Sequence, residues 1–447
     1  MEKQQFWKTV FNLALPVALQ GVLYSLLAVV NQIMVGKLGS VAVVAVGLAS
    51  KPQGILTFAL FGLTGGLAIL AAQYIGSQQE EKIAKIQGMM LAAGLFLTLI
   101  FILISLVFPE IAMRFFTTDS HVITQGVLYH RMLALSYFPF LLLQVYSTIL
   151  RSAGIVRLPM VVSLGAVPLN AFLNYLLIFG NFGAPKLNIA GSALATTIAT
   201  FIEAGVLLSF VYIKKLTGAF KARELLNFRY FDAEIKQLWK LSLPLLGDNL
   251  SFVLADTVGG AIFGLMGTNQ TVAVTIMLPI QALIITFFAG FGTAASVMIG
   301  QNLGRDEFDF AYQTGKRILW LSWFSPLILG GILLLFMNNY LKIYELSSYS
   351  LHLTQLVLIL MVIFVPVKVV NMVLGNVLSA GGETKFIFYI SVLGGWLIGV
   401  PLGLLTAFVL HLPIDLVFVA ITLEEVVRLG LGIWKLRTRT WLRNLVR

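Results

Sequence analysis

Seven ionisable side chains interrupt long apolar stretches of this sequence, where a charged group is costly and therefore informative. They are Glu203, Asp248, Asp256, Lys368, Glu424, Glu425 and Arg428. A carboxylate among apolar neighbours can exchange a proton near neutral pH or offer oxygen ligands to a cation. The residue types therefore predict proton or cation chemistry within apolar surroundings.

Asp248 and Asp256 are the main candidates for ion coupling. They are eight residues apart, and on a helix that turns about 100° per residue they share one broad face. Lys368, which follows Pro366, is a third candidate, because pairing with either aspartate lowers the cost of burying both charges. A structural hydrogen bond to a neighbouring helix is the alternative role for each aspartate.

Glu203 and Glu424 are predicted to be structural. Each lies eleven residues before a lysine, Lys214 and Lys435 respectively, which indicates equivalent positions in a repeat. Arg428 can pair on one helix face with Glu424 or with the glutamate that follows it. We therefore expect a structural role for Arg428 as well.

Five amide side chains are candidates for the lining of a polar cavity. They are Asn31, Gln53, Asn170, Asn174 and Gln281. Asn170 and Asn174 are four residues apart and share one helix face. Amides of this kind bind ions or substrate, or simply hold helices together, and without a carboxylate among them helix association is the default interpretation.

The composition places all these residues in a membrane protein. Of the 447 residues, 59% are hydrophobic and 11% are charged, whereas soluble domains carry about 25% charged residues. This excludes a soluble enzyme, a disordered chain and a nucleic-acid-binding module. The absence of cysteine excludes disulfides and thiolate metal sites. We expect no cofactor and no metal centre.

Twelve apolar segments are long enough to cross a bilayer as helices. They are 9–35, 42–75, 86–113, 123–151, 158–180, 188–213, 238–266, 271–300, 315–338, 350–379, 386–411 and 413–434. Most of the 30 Lys and Arg residues fall on one side of these spans, so both termini are predicted to be cytoplasmic. The predicted fold is an all-α, multi-pass protein of the cell membrane.

The two halves of the chain match each other locally at one offset. Leu15-Pro16 matches Leu243-Pro244, and the turn at 151–157 matches the turn at 379–385. We predict an N-terminal six-helix lobe at 1–213, a cytoplasmic linker with a membrane-surface helix at 214–237, and a C-terminal six-helix lobe at 238–447. Parallel repeats about an axis along the membrane normal are typical of transporters with alternating access.

The sequence resembles the multidrug and toxic compound extrusion (MATE) family of secondary transporters over nearly its whole length. The resemblance is carried by Leu15-Pro16, NQIMVGKLGS at 31–40, AAQYIGSQ at 71–78, RSAGIVRLP at 151–159, the stretch 170–200, SVMIGQNLGR at 296–305 and LSAGGETK at 378–385. It implies two six-helix lobes around an outward-facing cavity. It also implies a monomer that exports cationic or amphipathic compounds in exchange for H⁺ or Na⁺.

Three positions depart from what the resemblance implies. Many relatives have an aspartate at the place of Asn31, and some have a second at Asn174, which form an ion site with Asn170. Another branch uses a carboxylate at or near the place of Lys368. None of these carboxylates is present here. If coupling is retained, the two aspartates of the seventh span are the remaining candidates.

Three alternatives belong to other functional classes. A flippase for lipid-linked oligosaccharides, from the same superfamily, would need a cavity lined by several Arg and Lys residues. A membrane-embedded enzyme lacks support, because the sequence contains neither HExxH nor GxSxG. A channel fits poorly with two unequal halves. We expect small organic substrates and the lipid bilayer as partners, and no nucleic acid.

Overall fold

The computed structural model of the chain describes residues 3–226, 232–344 and 346–447, which are helical almost throughout and contain no β-strand. The helices before residue 227 are α1 (Lys3–Gly36), α2 (Ser40–Ala49), α3 (Lys51–Gly76), α4 (Glu81–Val107), α5 (Pro109–Arg114), α6 (Ser120–Ala134), α7 (Tyr137–Ser152), α8 (Arg157–Phe179), α9 (Asn188–Ile213) and α10 (Ala222–Leu225). Those after residue 231 are α11 (Ala233–Met266), α12 (Thr268–Gly304), α13 (Phe308–Leu341), α14 (Ser348–Ala380), α15 (Thr384–Val392), α16 (Val400–Leu404) and α17 (Ile414–Arg437). Wide π-helical turns at Leu393–Gly399 and Leu405–Val409 join α15 to α16 and extend α16.

The prediction of an all-α, multi-pass membrane protein is confirmed. Within the described ranges, ten helical stretches are long and apolar enough to span a membrane, and α6 with α7 adds an eleventh. The twelfth predicted span is α17, whose 24 residues include Glu424, Glu425 and Arg428. Its apolar part contains these three charges, whereas the apolar part of each other span contains at most two charged residues, and this is why α17 is not among them.

The fourth predicted span, 123–151, is bent. Its two parts, α6 and α7, meet at an angle of 46°. At the bend, the Ser136 hydroxyl donates to the Leu133 carbonyl at 2.7 Å. Pro139 lies in the first turn of α7, where a missing backbone N–H leaves no intrahelical hydrogen bond unmade.

The predicted linker at 214–237 is only partly described. Its described residues contain the short helix α10 and the first turn of α11, which begins at Ala233. Residues 227–231, on which part of the predicted membrane-surface helix falls, lie outside the described residues. The assignment of 214–237 as the boundary between two lobes stays a prediction.

The chain divides into two compact units. Unit 1 comprises Met1–Ala18, Ala72–Gln78 and Leu243–Arg447, and unit 2 comprises Leu19–Ala71 and Gln79–Ser242. In unit 1, α14 packs against α12, α13 and α17. In unit 2, α9 packs against α6, α7 and α8, and α4 packs against α7.

The residues that follow α17 fold back onto unit 1. The indole of Trp441 is fully buried, and a Cβ at Gly381 would lie 1.8 Å from the Trp441 carbonyl oxygen. The Gln73 amide donates to the Ala380 carbonyl at 2.8 Å and accepts from the Leu445 backbone N–H at 2.7 Å. The C-terminal segment is therefore an integral part of this unit.

Candidate functional site

The charged residues of α17 lie together with polar groups from α11, α14 and α15. Arg428 is central: its Nη1 lies 3.8 Å from Glu425 Oε2, and its Nη2 donates to Ser391 Oγ at 3.1 Å. The two glutamates and the arginine are close together in sequence on one helix. This spacing allows Glu425 and Arg428 to pair at i, i+3.

Asn371 of α14 also contacts this glutamate. Its Nδ2 donates to Glu425 Oε2 and to the Glu425 carbonyl, both at 2.7 Å. Asn371 and Glu425 are buried. The Glu425 carboxylate therefore receives an amide hydrogen bond together with its pairing to Arg428, which offsets part of the cost of burying its charge.

Asp248 of α11 joins this group through Ser391. Its carboxyl group lies near enough to Ser391 and to Arg428 to interact with both side chains. Ser391, which accepts a hydrogen bond from Arg428, is therefore also a neighbour of Asp248. Asp248 is half-buried, so it sits at the edge of the group rather than at its centre.

Glu424 is a further carboxylate of the group. It interacts electrostatically with Glu425, Arg428, Lys368 and Asp256. Its carboxylate packs against the π-helical turn: a Cβ at Gly394 would lie 2.9 Å from Glu424 Oε2 and 2.7 Å from Arg428 Cδ. The bare glycine backbone is what leaves room for both charged side chains. Such π-helical turns occur often at functional sites.

Lys368 has a different direct partner from the one expected. Its Nζ donates to Gln281 Oε1 of α12 at 3.3 Å, whereas the ion pairs of the described residues do not include Lys368. Asp256 is exposed on α11. The predicted pairing of Lys368 with an aspartate is thus replaced by a hydrogen bond to an amide that the sequence had placed among the cavity candidates.

We call this group the carboxylate cluster. It consists of Asp248, Asp256, Lys368, Glu424, Glu425 and Arg428, with Ser391, Asn371 and Gln281 as uncharged partners. It holds four carboxylates and two cationic side chains, so it carries excess negative charge when every member is ionised. Protons or a bound cation would compensate that excess.

Three predicted amides lie together in unit 2. Asn174 Nδ2 donates to Asn31 Oδ1 at 2.9 Å and to Asn170 Oδ1 at 2.6 Å, and Asn170 Nδ2 donates to Thr196 Oγ1 at 3.4 Å. Asn174 Oδ1 is buried without a hydrogen-bond partner. The spacing of four residues on α8 placed two of these amides on one face, as the sequence indicates. Gln53 lies half-buried in the first turn of α3.

Glu203 lies in a second polar group of unit 2. Its Oε1 accepts hydrogen bonds from Tyr24 and from Ser163 Oγ, the latter at 2.7 Å. Gln20 Nε2 donates to the same serine at 2.7 Å, and Arg151 Nη2 donates to Gln20 Oε1 at 2.8 Å. These residues tie α1, α7, α8 and α9 together.

Four further polar residues of these groups were not predicted from the sequence: Ser163, Ser391, Gln20 and Asn371. A signal for three of them exists in the repeat, because the offset that carries Pro16 onto Pro244 also carries Ser163 onto Ser391 and Gln20 onto Asp248. Gln20 of α1 donates a hydrogen bond to Ser163, and Asp248 of α11 lies near Ser391. Asn371 carries no comparable signal.

The comparison with known proteins matches this architecture. The MatE family model matches residues 16–176 and 244–405, and its two segments begin at the two prolines that the internal repeat aligns. The uncharacterized transporter YisQ of Bacillus subtilis (strain 168) is 23% identical over 438 residues, covering 98% of this chain and 95% of YisQ. The probable multidrug resistance protein NorM of Streptococcus pneumoniae is 26% identical over 384 residues, covering 84% of this chain and 83% of NorM.

Solved structures share the fold. A crystal structure of MATE in complex with MaL6 superposes with a TM-score of 0.87 at 19% identity, covering 97% of this chain and 96% of that chain. A mutant of the Vibrio cholerae MATE transporter VcmN gives a TM-score of 0.87 at 17% identity, covering 98% and 99% of the two chains. The chain belongs to the MatE family of membrane transporters.

Proposed function

We propose that this protein is a secondary active multidrug exporter, which moves cationic or amphipathic organic compounds out of the cell by alternating access, in exchange for H⁺ or Na⁺. Because the family consists of transporters, a membrane-embedded enzyme is excluded. Similar proteins are described as probable multidrug resistance proteins, which supports the substrate class. We also propose a monomer with both termini in the cytoplasm.

The carboxylate cluster is the main observation that supports this proposal. Four carboxylates share the cluster with two cationic side chains, and a bound proton or cation would lower the cost of the excess negative charge within spanning helices. Asp248 and Asp256 are the coupling residues we propose, because neither takes part in an ion pair among the described residues. Glu425 and Arg428 pair with each other and hold the site in place.

The mechanism we propose is competition between the organic cation and the coupling ion for the same carboxylates. An organic cation and a coupling ion both neutralise the same excess of carboxylate charge, so binding of one weakens binding of the other. Exchange across the membrane then follows if the site faces opposite sides in two states. The flippase alternative, which would need several Arg and Lys residues at the site, is disfavoured by the surplus of carboxylates.

Transport in proteoliposomes tests this function. Purified protein would be assayed for uptake of a panel of organic cations under imposed H⁺ or Na⁺ gradients. We expect gradient-driven, saturable transport that is lost in Asp248→Asn or Asp256→Asn. Glu110→Gln is the matched control, because it removes a carboxylate from an exposed ion pair with Arg114. Transport that is unchanged in both aspartate variants would overturn the assignment of the coupling site.

A further inference from the structure

A cavity lies next to the carboxylate cluster, among α14, α15 and α17 of unit 1. The space in it that is open to the centre of a water molecule is about 20 Å³, and about 10–15 Å³ is enough to hold one water molecule. The cavity therefore has room for water. Its walls include Asn371, Gly375, Leu378, Ile387, Ile390 and Arg428.

One end of the cavity lies at the turn 379–385. Leu378 immediately precedes this turn, and Ile387 follows it by two residues. Lys435, near the end of α17, forms an ion pair with Glu383 of the same turn at 3.1 Å, so α17 also reaches this end. Because the C-terminus that follows α17 is proposed to be cytoplasmic, this end of the cavity faces the cytoplasm.

The other end of the cavity is crossed by polar contacts that run from helix to helix. Asn371 of α14 donates to Glu425 Oε2 at 2.7 Å, and Glu425 lies 3.8 Å from Arg428. Arg428 in turn donates to Ser391 of α15 at 3.1 Å. All three helices around the cavity are thus tied together at this level. Asn371 and Leu378 are seven residues apart, so the cavity extends about 10 Å along α14.

Beyond Arg428, polar groups continue to an exposed residue. Glu424 is half-buried and interacts electrostatically with Arg428 and with Asp256. Asp256 is exposed and lies 23 residues after Ala233, the first residue of α11. That distance is about 35 Å along a helix, so Asp256 lies far from the cytoplasmic start of α11. An exposed aspartate, a glutamate, the arginine and the cavity therefore follow one another through unit 1.

Arg428 supplies the positive charge where the carboxylates and the cavity meet. A guanidinium keeps its charge in proteins, and an arginine beside a watery passage excludes protons and other cations electrostatically. Its Nε is buried without a hydrogen-bond partner among the described residues, and water in the adjacent cavity would satisfy this donor. Toward the cytoplasm, the side chains of Leu378, Ile387 and Ile390 offer no ligand to an ion.

We propose that Arg428 seals a water-containing passage through unit 1 and so prevents cations at the carboxylate cluster from leaking into the cytoplasm along the cavity. The cluster attracts cations because its carboxylates are in excess, so a passage that adjoins it needs a barrier of the opposite charge. The inference rests on the proposed function in one respect: an exporter driven by an ion gradient loses that gradient through such a leak.

Passive ion flux into proteoliposomes, measured without any organic cation, tests the seal. A trapped pH-sensitive dye reports H⁺ entry under a potassium diffusion potential, and radioactive sodium reports Na⁺ entry. Vesicles with the wild-type protein should be as tight as vesicles without protein. Vesicles with Arg428→Gln should admit H⁺ or Na⁺ severalfold faster.

A double variant guards against a leak that is caused by misfolding. Glu425→Gln combined with Arg428→Gln removes the arginine together with the charge of its ion-pair partner, so no buried carboxylate is left without its cation at this contact. The double variant should elute as a single symmetric peak in size-exclusion chromatography and should leak as Arg428→Gln does.

Filling the cavity should restore the barrier. Gly375 lines the cavity, and a Cβ at this position meets nothing within 4 Å. Gly375→Leu, added to the double variant, should therefore return the flux to the wild-type level. Gly331→Leu in the same background is the matched control, because Gly331 is exposed on α13 and its Cβ also meets nothing within 4 Å. This control should leave the leak as it was.

Two results would overturn the proposal. If the folded double variant is as tight to both ions as the wild type, Arg428 is not a seal. If the double variant leaks equally with and without Gly375→Leu, the ions do not pass through the cavity. A wild type without gradient-driven transport refutes the proposed exporter function instead, and in that case the flux measurements still decide whether Arg428 closes the passage.

Discussion

Arg428 donates a hydrogen bond from Nη2 to Ser391 Oγ over 3.1 Å, and through this contact the arginine of α17 lies beside the aspartate of α11. The same arginine is 3.8 Å from Glu425. One cationic side chain therefore balances carboxylates that come from two helices.

Replacement of this arginine should destabilise the protein. In Arg428→Gln the carboxylate of Glu425 keeps its hydrogen bond to Asn371 but loses its cation, and breaking a buried ion pair costs about 3–5 kcal/mol. We expect a lower unfolding temperature in detergent. The double variant Glu425→Gln with Arg428→Gln removes both charges and should recover part of the loss. Equal unfolding temperatures for the single variant and the wild type would contradict the central place of Arg428.

The π-helical turn at Leu393–Gly399 allows a test of one close approach within the carboxylate cluster. Gly394→Ala places a methyl group 2.7 Å from Arg428 Cδ and 2.9 Å from Glu424 Oε2, so one or both charged side chains must move. We expect lower transport activity with only a modest change in stability, because a displaced side chain can find new space at the edge of the site. The measurement is the initial rate of organic cation transport at matched protein amounts.

Gly430→Ala is the control for this test. Gly430 lies on α17 and a Cβ there meets nothing within 4 Å. Alanine in a helix interior is favoured over glycine by roughly 0.5–1 kcal/mol, so this variant should be as active as the wild type and equally or more stable. Equal activity of the two alanine variants would show that the close approach at Gly394 has no role in transport.

The architecture and the residue types of both sites could be predicted from the sequence, because apolar length and rare intramembrane charges are direct consequences of the bilayer. Helical spacing placed Asn170 beside Asn174. The partner of Lys368 could not be predicted, since the rotation of α14 against α12 decides whether Gln281 or an aspartate faces the lysine. Such rotations depend on side-chain packing along the whole interface.

Individual serine residues were the other feature of the sites that could not be predicted from the sequence. Ser163 and Ser391 are ordinary residues in apolar helices and become informative only when the repeat offset is applied to every polar position. The surroundings of Glu203 could be predicted only in part. The sequence places Glu203 within a span, but the uncharged side chains that donate hydrogen bonds to it depend on which faces of α1 and α8 meet α9.

The C-terminal segment gives a prediction about local stability. Trp441 is fully buried, and replacement of a buried Trp by Ala costs about 3–5 kcal/mol. In Trp441→Ala the segment should detach more often, so that trypsin cleaves after Arg439 or Arg443 roughly tenfold faster or more. Limited proteolysis followed by mass spectrometry measures this. Trp434→Ala is the control, because Trp434 is 60% exposed and its loss should leave the cleavage rate unchanged.

If trypsin cleaves the C-terminal segment of Trp441→Ala no faster than that of the wild type, other contacts are enough to hold the segment in place. One of these is the ion pair of Glu383 with Arg443, at 3.0 Å. In that case Glu383→Gln combined with Trp441→Ala should release the segment.

The amide group of Asn31, Asn170 and Asn174 gives the last prediction. In Asn31→Asp the new carboxylate can still accept from Asn174 Nδ2, as the amide oxygen does at 2.9 Å. It adds a negative charge next to Asn170 Oδ1 and the unpartnered Asn174 Oδ1. Three oxygen ligands of this kind suit a hard cation. We therefore expect Na⁺ to bind the variant and not the wild type.

Ligand binding to the folded state raises stability by RT ln(1 + [L]/Kd), so the unfolding temperature of Asn31→Asp should rise with Na⁺ concentration. Potassium at the same ionic strength serves as the reference salt. Asn31→Leu is the structural control: it leaves a donor of Asn174 unsatisfied, which costs about 1–3 kcal/mol, but its unfolding temperature should not respond to Na⁺. A Na⁺ response of Asn31→Asp no larger than that of the wild type would show that the missing carboxylate is not what keeps this amide group from binding a cation.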